Sequence, residues 1–366
     1  MTDSDYDPSE AASSASPLIS VVIPVYNVSA YLAECLDSVL GQPFQAIEVV
    51  AVDTGSTDGS AAILAGRTAE DARLRVLTMT PPAPDHSPLG PGRARNAGIQ
   101  AAGGEYLWFV DGDDAVVPER VAEIADRLVS ERPDVLLIGH LDVYPDGTER
   151  EGLGLDLLRH LDKPVVTLAQ EPRLVEMRLP SWNKIVRRQF LRSTGTGFLD
   201  EWPHEDIPLS CAVLTQARSI AVVGQPCYRY RDGRPGSAMT DGSARRHFTV
   251  FAAWDQALSA AHDLRADGDP AVTPGVYRAL FERAIWHCTS LLDKDLVVGT
   301  RLRRRFFTQL HQLYQQHAPT DYRPPSTFRG LKFRLVAANG RLLYAALAEP
   351  NKLRVRLASA RGRRQA

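Results

Sequence analysis

Cysteine is scarce in this sequence. Its 366 residues include four, Cys35, Cys211, Cys227 and Cys288, far apart and with no C-x-x-C pair. That argues against a zinc site or a disulfide framework and fits a reducing cytosol. No run approaches the ~20 apolar residues of a membrane span. The acidic N-terminus lacks the apolar core of a signal peptide. The expectation is a cytoplasmic chain that does not cross a membrane. Net charge is also small: 42 basic against 44 acidic residues leave −2, so the whole molecule is not a basic nucleic-acid binder. The loop after the second strand is no G-x-G-x-x-G dinucleotide fingerprint, and no Walker-type G-K-[ST] follows it. No internal repeat is visible.

What is present alternates. Leu18 to Val25 (LISVVIPV) is an apolar run rich in β-branched residues, the pattern of a strand buried on both faces. Tyr31 to Leu40 has helical spacing. Ile47 to Val52 is a second buried strand, ending in Asp53-Thr54-Gly55-Ser56-Thr57-Asp58-Gly59-Ser60. A helix over 60–70 and a short strand, Leu74 to Thr78, follow. Strands alternating with helices predict a doubly wound α/β sheet. A Pro- and Gly-rich loop over 80–92 leads into Gly92-Arg93-Ala94-Arg95-Asn96-Ala97-Gly98, at the head of a helix through Ala102. Next come a strand at Tyr106 to Val110, a helix at Pro118 to Ser130 and a strand at Val135 to Ile138. Beyond these are helices over 187–192 and 207–215, and a strand at Ser219 to Val223. Residues 244–317 read as mostly helical. The resulting division is a disordered acidic tail over 1–16, an α/β domain over 17–240, a helical region over 241–318, and a Pro-rich linker with a basic segment over 319–366.

The chain is organised around Glu105 to Ala115 (EYLWFVDGDDA). A core strand runs straight into Asp111, Asp113 and Asp114. Buried carboxylates without partners are costly, so the cluster needs a reason. One is a hard divalent cation, which oxygen ligands suit, beyond the carboxyl end of a strand where α/β sheets place ligands. The other is an Asp-rich turn capping the helix at Pro118. Asp53 at its strand end can read the imino N–H of a pyrimidine base or cap the next helix. Arg93, Arg95 and Asn96 suit diphosphate oxygens or a solvated helix face. Glu205-Asp206, before an apolar helix, is either a base for a hydroxyl acceptor or another N-cap. Trp182, Trp202, Tyr228 and Tyr230 read as sugar-site lining or core. Arg229 and Arg231 alternate with tyrosines on one strand side, where both can meet phosphate.

Together these stretches resemble the family 2 glycosyltransferases with the GT-A fold. The matching pieces are VVIPVYN (Val21 to Asn27), VAVDTGSTDGS (Val50 to Ser60), GRARNAGIQAAGGEYLWFVDGDD (Gly92 to Asp114), WNKIVRRQFL (Trp182 to Leu191), HED (His204 to Asp206) and YRYRDGRPGS (Tyr228 to Ser237). The resemblance implies a mixed, doubly wound sheet flanked by helices over 17–240 and a mainly helical C-terminal extension. It implies an inverting, metal-dependent transferase that moves a sugar from a nucleotide-diphosphate donor, a UDP-sugar in expectation, to a hydroxyl of a glycan or cell-wall polymer. By this resemblance Asp53 binds the nucleobase, Pro24 and Tyr26 line its pocket, and Arg95 approaches the diphosphate. Asp111 and Asp113 form the DXD motif, which holds Mn²⁺ or Mg²⁺. Asp206 is the base, with Glu205 next in line, and Arg229 and Arg231 lie near the donor phosphates. Many relatives carry two acids in the second loop where this chain has Asp53-Thr54. The last 120 residues look like the extra module of transferases that build teichoic-acid-type polymers.

Two other functions compete. A sugar-nucleotide pyrophosphorylase needs a Gly-rich loop with Arg and Lys after the first strand, and PVYNVSAY has neither. A non-catalytic binding or scaffold protein on the same fold has no need of Asp111, Asp113 and Asp206 together. The C-terminal charge points elsewhere. Residues 323–366 hold eleven Lys or Arg against Glu349 alone, about +10 by counting. With Leu331, Phe333, Leu335, Leu342 and Leu343 interspersed, the segment suits an anionic membrane surface on the inner face. Packing on the catalytic domain and contacts between copies are the alternatives. Interleaved aromatics are few, so no nucleic acid is expected there.

Overall fold

The computed structural model describes residues 16–79, 89–161, 163, 165–200, 203–234, 245–294 and 302–347. The acidic tail up to residue 15, Trp202, the Gly236-Ser237 turn and the basic segment from 348 onward lie outside these residues. The strands are β1 (Ile19–Val25), β2 (Ile47–Asp53), β3 (Leu74–Thr78), β4 (Tyr106–Phe109), β5 (Ala115–Val116), β6 (Val135–Val143), β7 (Glu149–Glu151), β8 (Val165–Val166), β9 (Lys184–Arg187) and β10 (Ile220–Arg231). They form one mixed sheet in the order β3-β2-β1-β4-β9-β6-β10-β5, with β7 on β6 and β8 on β10. β1, β2, β3 and β4 are mutually parallel, as are β6 and β10. β9 is antiparallel to both of its neighbours, β4 and β6.

The apolar runs explain the burial. Ile19, Val21, Ile23 and Val25 face one layer with Tyr106, Trp108 and Ile185. Val22, Leu107, Phe109 and Val186 face the other. Strands covered on both faces leave no room for polar alternation. The second layer continues without a break into the C-terminal helices Thr249–Ala266, Pro274–Asp293, Arg303–His317 and Phe328–Ala337. The helical region therefore shares a core with the sheet. The Pro-rich stretch before residue 327 is part of it: Tyr322 packs edge-on to Phe281, with ring centroids 5.0 Å apart. Among the described residues no helix is long and apolar enough to cross a membrane.

Two expected elements differ in form. Pro118–Arg120 is a 3₁₀ turn, and the helix proper is Val121–Glu131. The strand expected to end at Val223 instead runs on to Arg231, through register shifts at Pro226. Proline cannot donate to the ladder, so the strand bulges there and resumes.

Candidate active site

Parallel register brings the acids to one edge. Val25 lies opposite Asp53 and Val22 opposite Phe109, so the loops after β1, β2 and β4 meet beyond the carboxyl ends of their strands. β9 runs the other way, with Ile185 opposite Trp108, so its first residue, Lys184, sits at this same edge.

The first two loops are stitched together. Asp53 is buried, and its Oδ1 accepts the Ser56 N–H at 2.9 Å and the Ser56 hydroxyl at 2.7 Å. It folds its own loop and does not cap the next helix. Asp58 makes the helix contacts instead, accepting the N–H groups of Ser60 and Ser29 at 2.8 and 2.9 Å. Asn27 takes a left-handed φ of 51° and accepts the Thr57 N–H at 2.8 Å. Tyr26 is exposed beside this seam and Pro24 half-buried, so both reach the edge where Asp53 lies.

The DGDD segment is held from three sides. The Tyr228 hydroxyl accepts the Asp111 N–H at 3.0 Å and donates to Asp114 Oδ2 at 2.8 Å. Asp114 Oδ1 accepts the Arg231 N–H at 2.8 Å. Arg231 Nε donates to the Asp113 carbonyl at 2.7 Å, and its guanidinium pairs with Glu34. The Asp113 carboxylate pairs with Arg234. Burial raises the pKa of Asp113 and Asp114, and the neighbouring aspartates push both further. Among the described residues, no group of three His, Cys, Asp or Glu stands in position to hold a metal ion.

Arg229 does not converge with Arg231. It pairs with Glu149 on β7, because alternation fixes a strand face but not the partner met along it. Trp182 and Tyr228 are buried and stacked at 4.5 Å, with Tyr230 on the other contact at 5.4 Å. Trp182 and Tyr228 are thus core, and the hydroxyl of Tyr228 is what reaches the site.

Arg95 ties the two halves of the site together. It is 5% exposed, and it donates from Nη1 to Glu205 Oε1 at 2.6 Å and from Nη2 to Asp111 Oδ1 at 2.5 Å. Burial opposes its charge, but Asp111, Glu205 and Asp206 outweigh that, and its pKa is raised. Both arms face protein carboxylates. Its helix, Pro91–Ala101, lies hard against the segment before the HED motif. A Cβ on Gly92 would stand 2.0 Å from the Leu199 carbonyl oxygen, so only glycine allows this approach. Asn96 clamps Phe198 with both ends of its amide. Arg93 pairs with Asp200.

Asp206 is the N-cap residue of helix Ile207–Gln216, but its carboxylate makes no capping bond. Burial pushes its pKa up to about 7; the Glu205 charge adds to this, and Arg95 and Lys184 oppose it. It is half-buried, so solvent still reaches it. Glu205 is buried and committed to Arg95. His204, just before, holds a strained φ of 81°. Burial, then the neighbouring His247, lowers its pKa to about 3.

Lys184 is the site residue that sequence reasoning missed. It is fully buried, and its Nζ donates to the Pro180 carbonyl at 2.7 Å and to Asn183 Oδ1 at 2.8 Å. Burial lowers its pKa to about 7 against the pull of Asp206. The one signal available was a lone lysine opening an apolar strand.

The edge thus carries a DGDD turn, a buried Arg bridge and an uncapped carboxylate on a GT-A type of sheet. Residues 20–194, just under half of the chain, match the glycosyl transferase family 2 model. Among similar proteins, the uncharacterized glycosyltransferase EpsJ of Bacillus subtilis is 29% identical over 59% of this chain and 61% of its own length. The poly(ribitol-phosphate) beta-N-acetylglucosaminyltransferase TarS of Staphylococcus aureus is 30% identical over 60% of this chain and 36% of its own. The chain thus spans less than two thirds of these relatives. The crystal structure of TarS 1-349 with UDP-GlcNAc matches the fold at a TM-score of 0.72 and 22% identity, over 92% of this chain and 91% of that one.

Proposed function

We propose that the chain is an inverting glycosyltransferase. It takes the sugar of a nucleotide-diphosphate donor, a UDP-sugar, and passes it to a hydroxyl of a cell-surface glycan or teichoic-acid-type polymer. One observation carries the reading: Asp206 is an uncapped, half-buried carboxylate with a pKa near 7, joined through Glu205 and Arg95 to the DGDD turn. A carboxylate poised near the working pH suits a general base. Asp206 accepts the proton of the acceptor hydroxyl, whose oxygen attacks the anomeric carbon from the face opposite the nucleotide. One displacement inverts the configuration, and no enzyme nucleophile is needed. Glu205 and Arg95 act as positioning residues, fixing the distance between the base and the donor's phosphates. Asp53, Pro24 and Tyr26 receive the base of the nucleotide.

The donor set fits a divalent cation. Asp111 and Asp113 offer hard oxygen ligands and would hold such a cation. Their crowding with Asp114 raises the cost of leaving that charge uncompensated. Mn²⁺ or Mg²⁺ held there offsets charge on the leaving diphosphate. Arg231 and Arg234, already against Asp113, lie where they can exchange carboxylate for phosphate oxygens. The name and complex of TarS favour UDP-GlcNAc and a polyol-phosphate acceptor as first trials. The test is hydrolysis and transfer across a panel of nucleotide sugars. Retained configuration in the product, or no turnover of any nucleotide sugar, sinks the reading.

A further inference from the structure

Two arginines lie beyond Asp206 that this reading does not use. Arg283, on helix Pro274–Asp293, is 8% exposed, and its Nε and Nη1 have no hydrogen-bond partner. Arg329 is half-buried, and its Nε likewise lacks a partner. Both guanidinium groups lie over Trp286, at 4.5 and 5.8 Å. Neither is ion-paired among the described residues. Of the nearby acids, Glu176 is exposed and acts on Arg283 by its charge without forming an ion pair, and Glu282 turns its carboxylate to Arg278 and Tyr322 and offers Arg329 only its carbonyl. Stacking on indole attracts a cation but leaves N–H donors unmet. Two like charges with three unmade donors are a poor arrangement unless an anion completes it.

The pair also has a direction. His287, one turn further along the helix of Arg283, packs edge-on to His204 at 5.2 Å, two residues before Asp206. Arg178 is also near Arg283, and lies over Tyr230 at 5.3 Å. The donor's diphosphate belongs to the DGDD side of Arg95. An anion on this other side belongs to the second substrate.

We propose that Arg283 and Arg329, both over Trp286, form a subsite for a phosphate group of the acceptor. The fork of a guanidinium matches two phosphate oxygens. The subsite rests on Asp206 being the base, and it makes the acceptor a phosphodiester-bearing polymer. The test follows the melting temperature of the full chain with a short polyol phosphodiester oligomer and, separately, with inorganic phosphate. UDP is titrated into the same samples. The oligomer is expected to raise the wild-type melting temperature saturably. Arg283→Gln and Arg329→Gln are each expected to weaken its binding about tenfold or more, the scale of a charge-assisted hydrogen bond. Arg329→Gln, at the half-buried member, carries the test should Arg283→Gln not fold. Equal oligomer binding in wild type and variants overturns the subsite. Tighter binding of inorganic phosphate than of the diester overturns the acceptor assignment. A chain that binds UDP but no oligomer refutes the subsite alone, and one that binds the oligomer but no UDP refutes the transferase reading.

Discussion

Asp206→Asn should cost activity and yield stability in the same protein. The Asp206 carboxyl moves from an ordinary 3.8 to about 7, a charging cost of roughly 4 kcal/mol. Between about pH 4 and pH 7 the folded chain keeps a proton that the unfolded chain has released. The folded state binds more protons there, so stability falls as pH rises through that window. Asparagine never charges and escapes the loss. In urea titrations, the variant should match wild type near pH 4 and exceed it at pH 8, by up to about 4 kcal/mol. Its transfer rate should fall by about 10²- to 10⁴-fold, the scale of a lost general base. The wild-type kcat/KM should climb with pH to about 7 and level off. Asp206→Asn that transfers at the wild-type rate, or is less stable than wild type at pH 8, would refute the reasoning.

Three further outcomes are expected. Arg95→Met leaves the buried Glu205 and the half-buried Asp111 without their shared cation, and should lower stability by about 3 kcal/mol in urea titration; a loss below about 1 kcal/mol would mean the bridge is not what holds the two segments. Exhaustive chelation with EDTA should abolish transfer and Mn²⁺ or Mg²⁺ restore it; full activity after chelation sinks the metal reading. Leu342 and Leu343 are 73% and 66% exposed beside Arg341, and six of the eleven basic residues lie after 351. At ~1 kcal/mol per basic residue near an anionic surface, the full chain should co-sediment with anionic liposomes at low salt and a chain ending at Leu347 should bind less. Equal binding by both removes the tail as an anchor.

The frame of the molecule is legible in the sequence because it is local. LISVVIPV and EYLWFV are unbroken apolar runs, and such runs become strands buried on both faces. The α/β alternation and the position of DGDD at a strand's carboxyl end follow from them, while the GT-A class rests on the resemblance of the motifs to a family. Partners across the chain are not local. Glu205 is 110 residues from Arg95, and no spacing rule joins them. The alternation of Tyr228, Arg229, Tyr230 and Arg231 gave the faces but not that β7 would offer Glu149 to Arg229. The expected strand stops at Val223, before Pro226, yet β6 holds the strand on both sides of the bulge there. Lys184 was hidden because a lone lysine at the head of an apolar strand carries no sequence sign of its burial or of the charge of Asp206, 22 residues on, that acts on it.

β9 has a consequence for how the chain comes into being. Its four residues, Lys184–Arg187, are the hydrogen-bonded join between β3-β2-β1-β4 and β6-β10-β5. The inner edges of β4 and β6 are both synthesised before it. Until residue 187 leaves the ribosome, β4 and β6 each present an apolar edge with no strand to cover it, open to any passing chain, and β10 has yet to be made. Asp111 belongs to one half, while Lys184 arrives with the join itself and Asp206 follows. A nascent or truncated chain therefore has no partly working form. The join closes the sheet's interior first, and the catalytic edge is finished only when Asp206 and then β10, with Tyr228 and Arg231, have followed it.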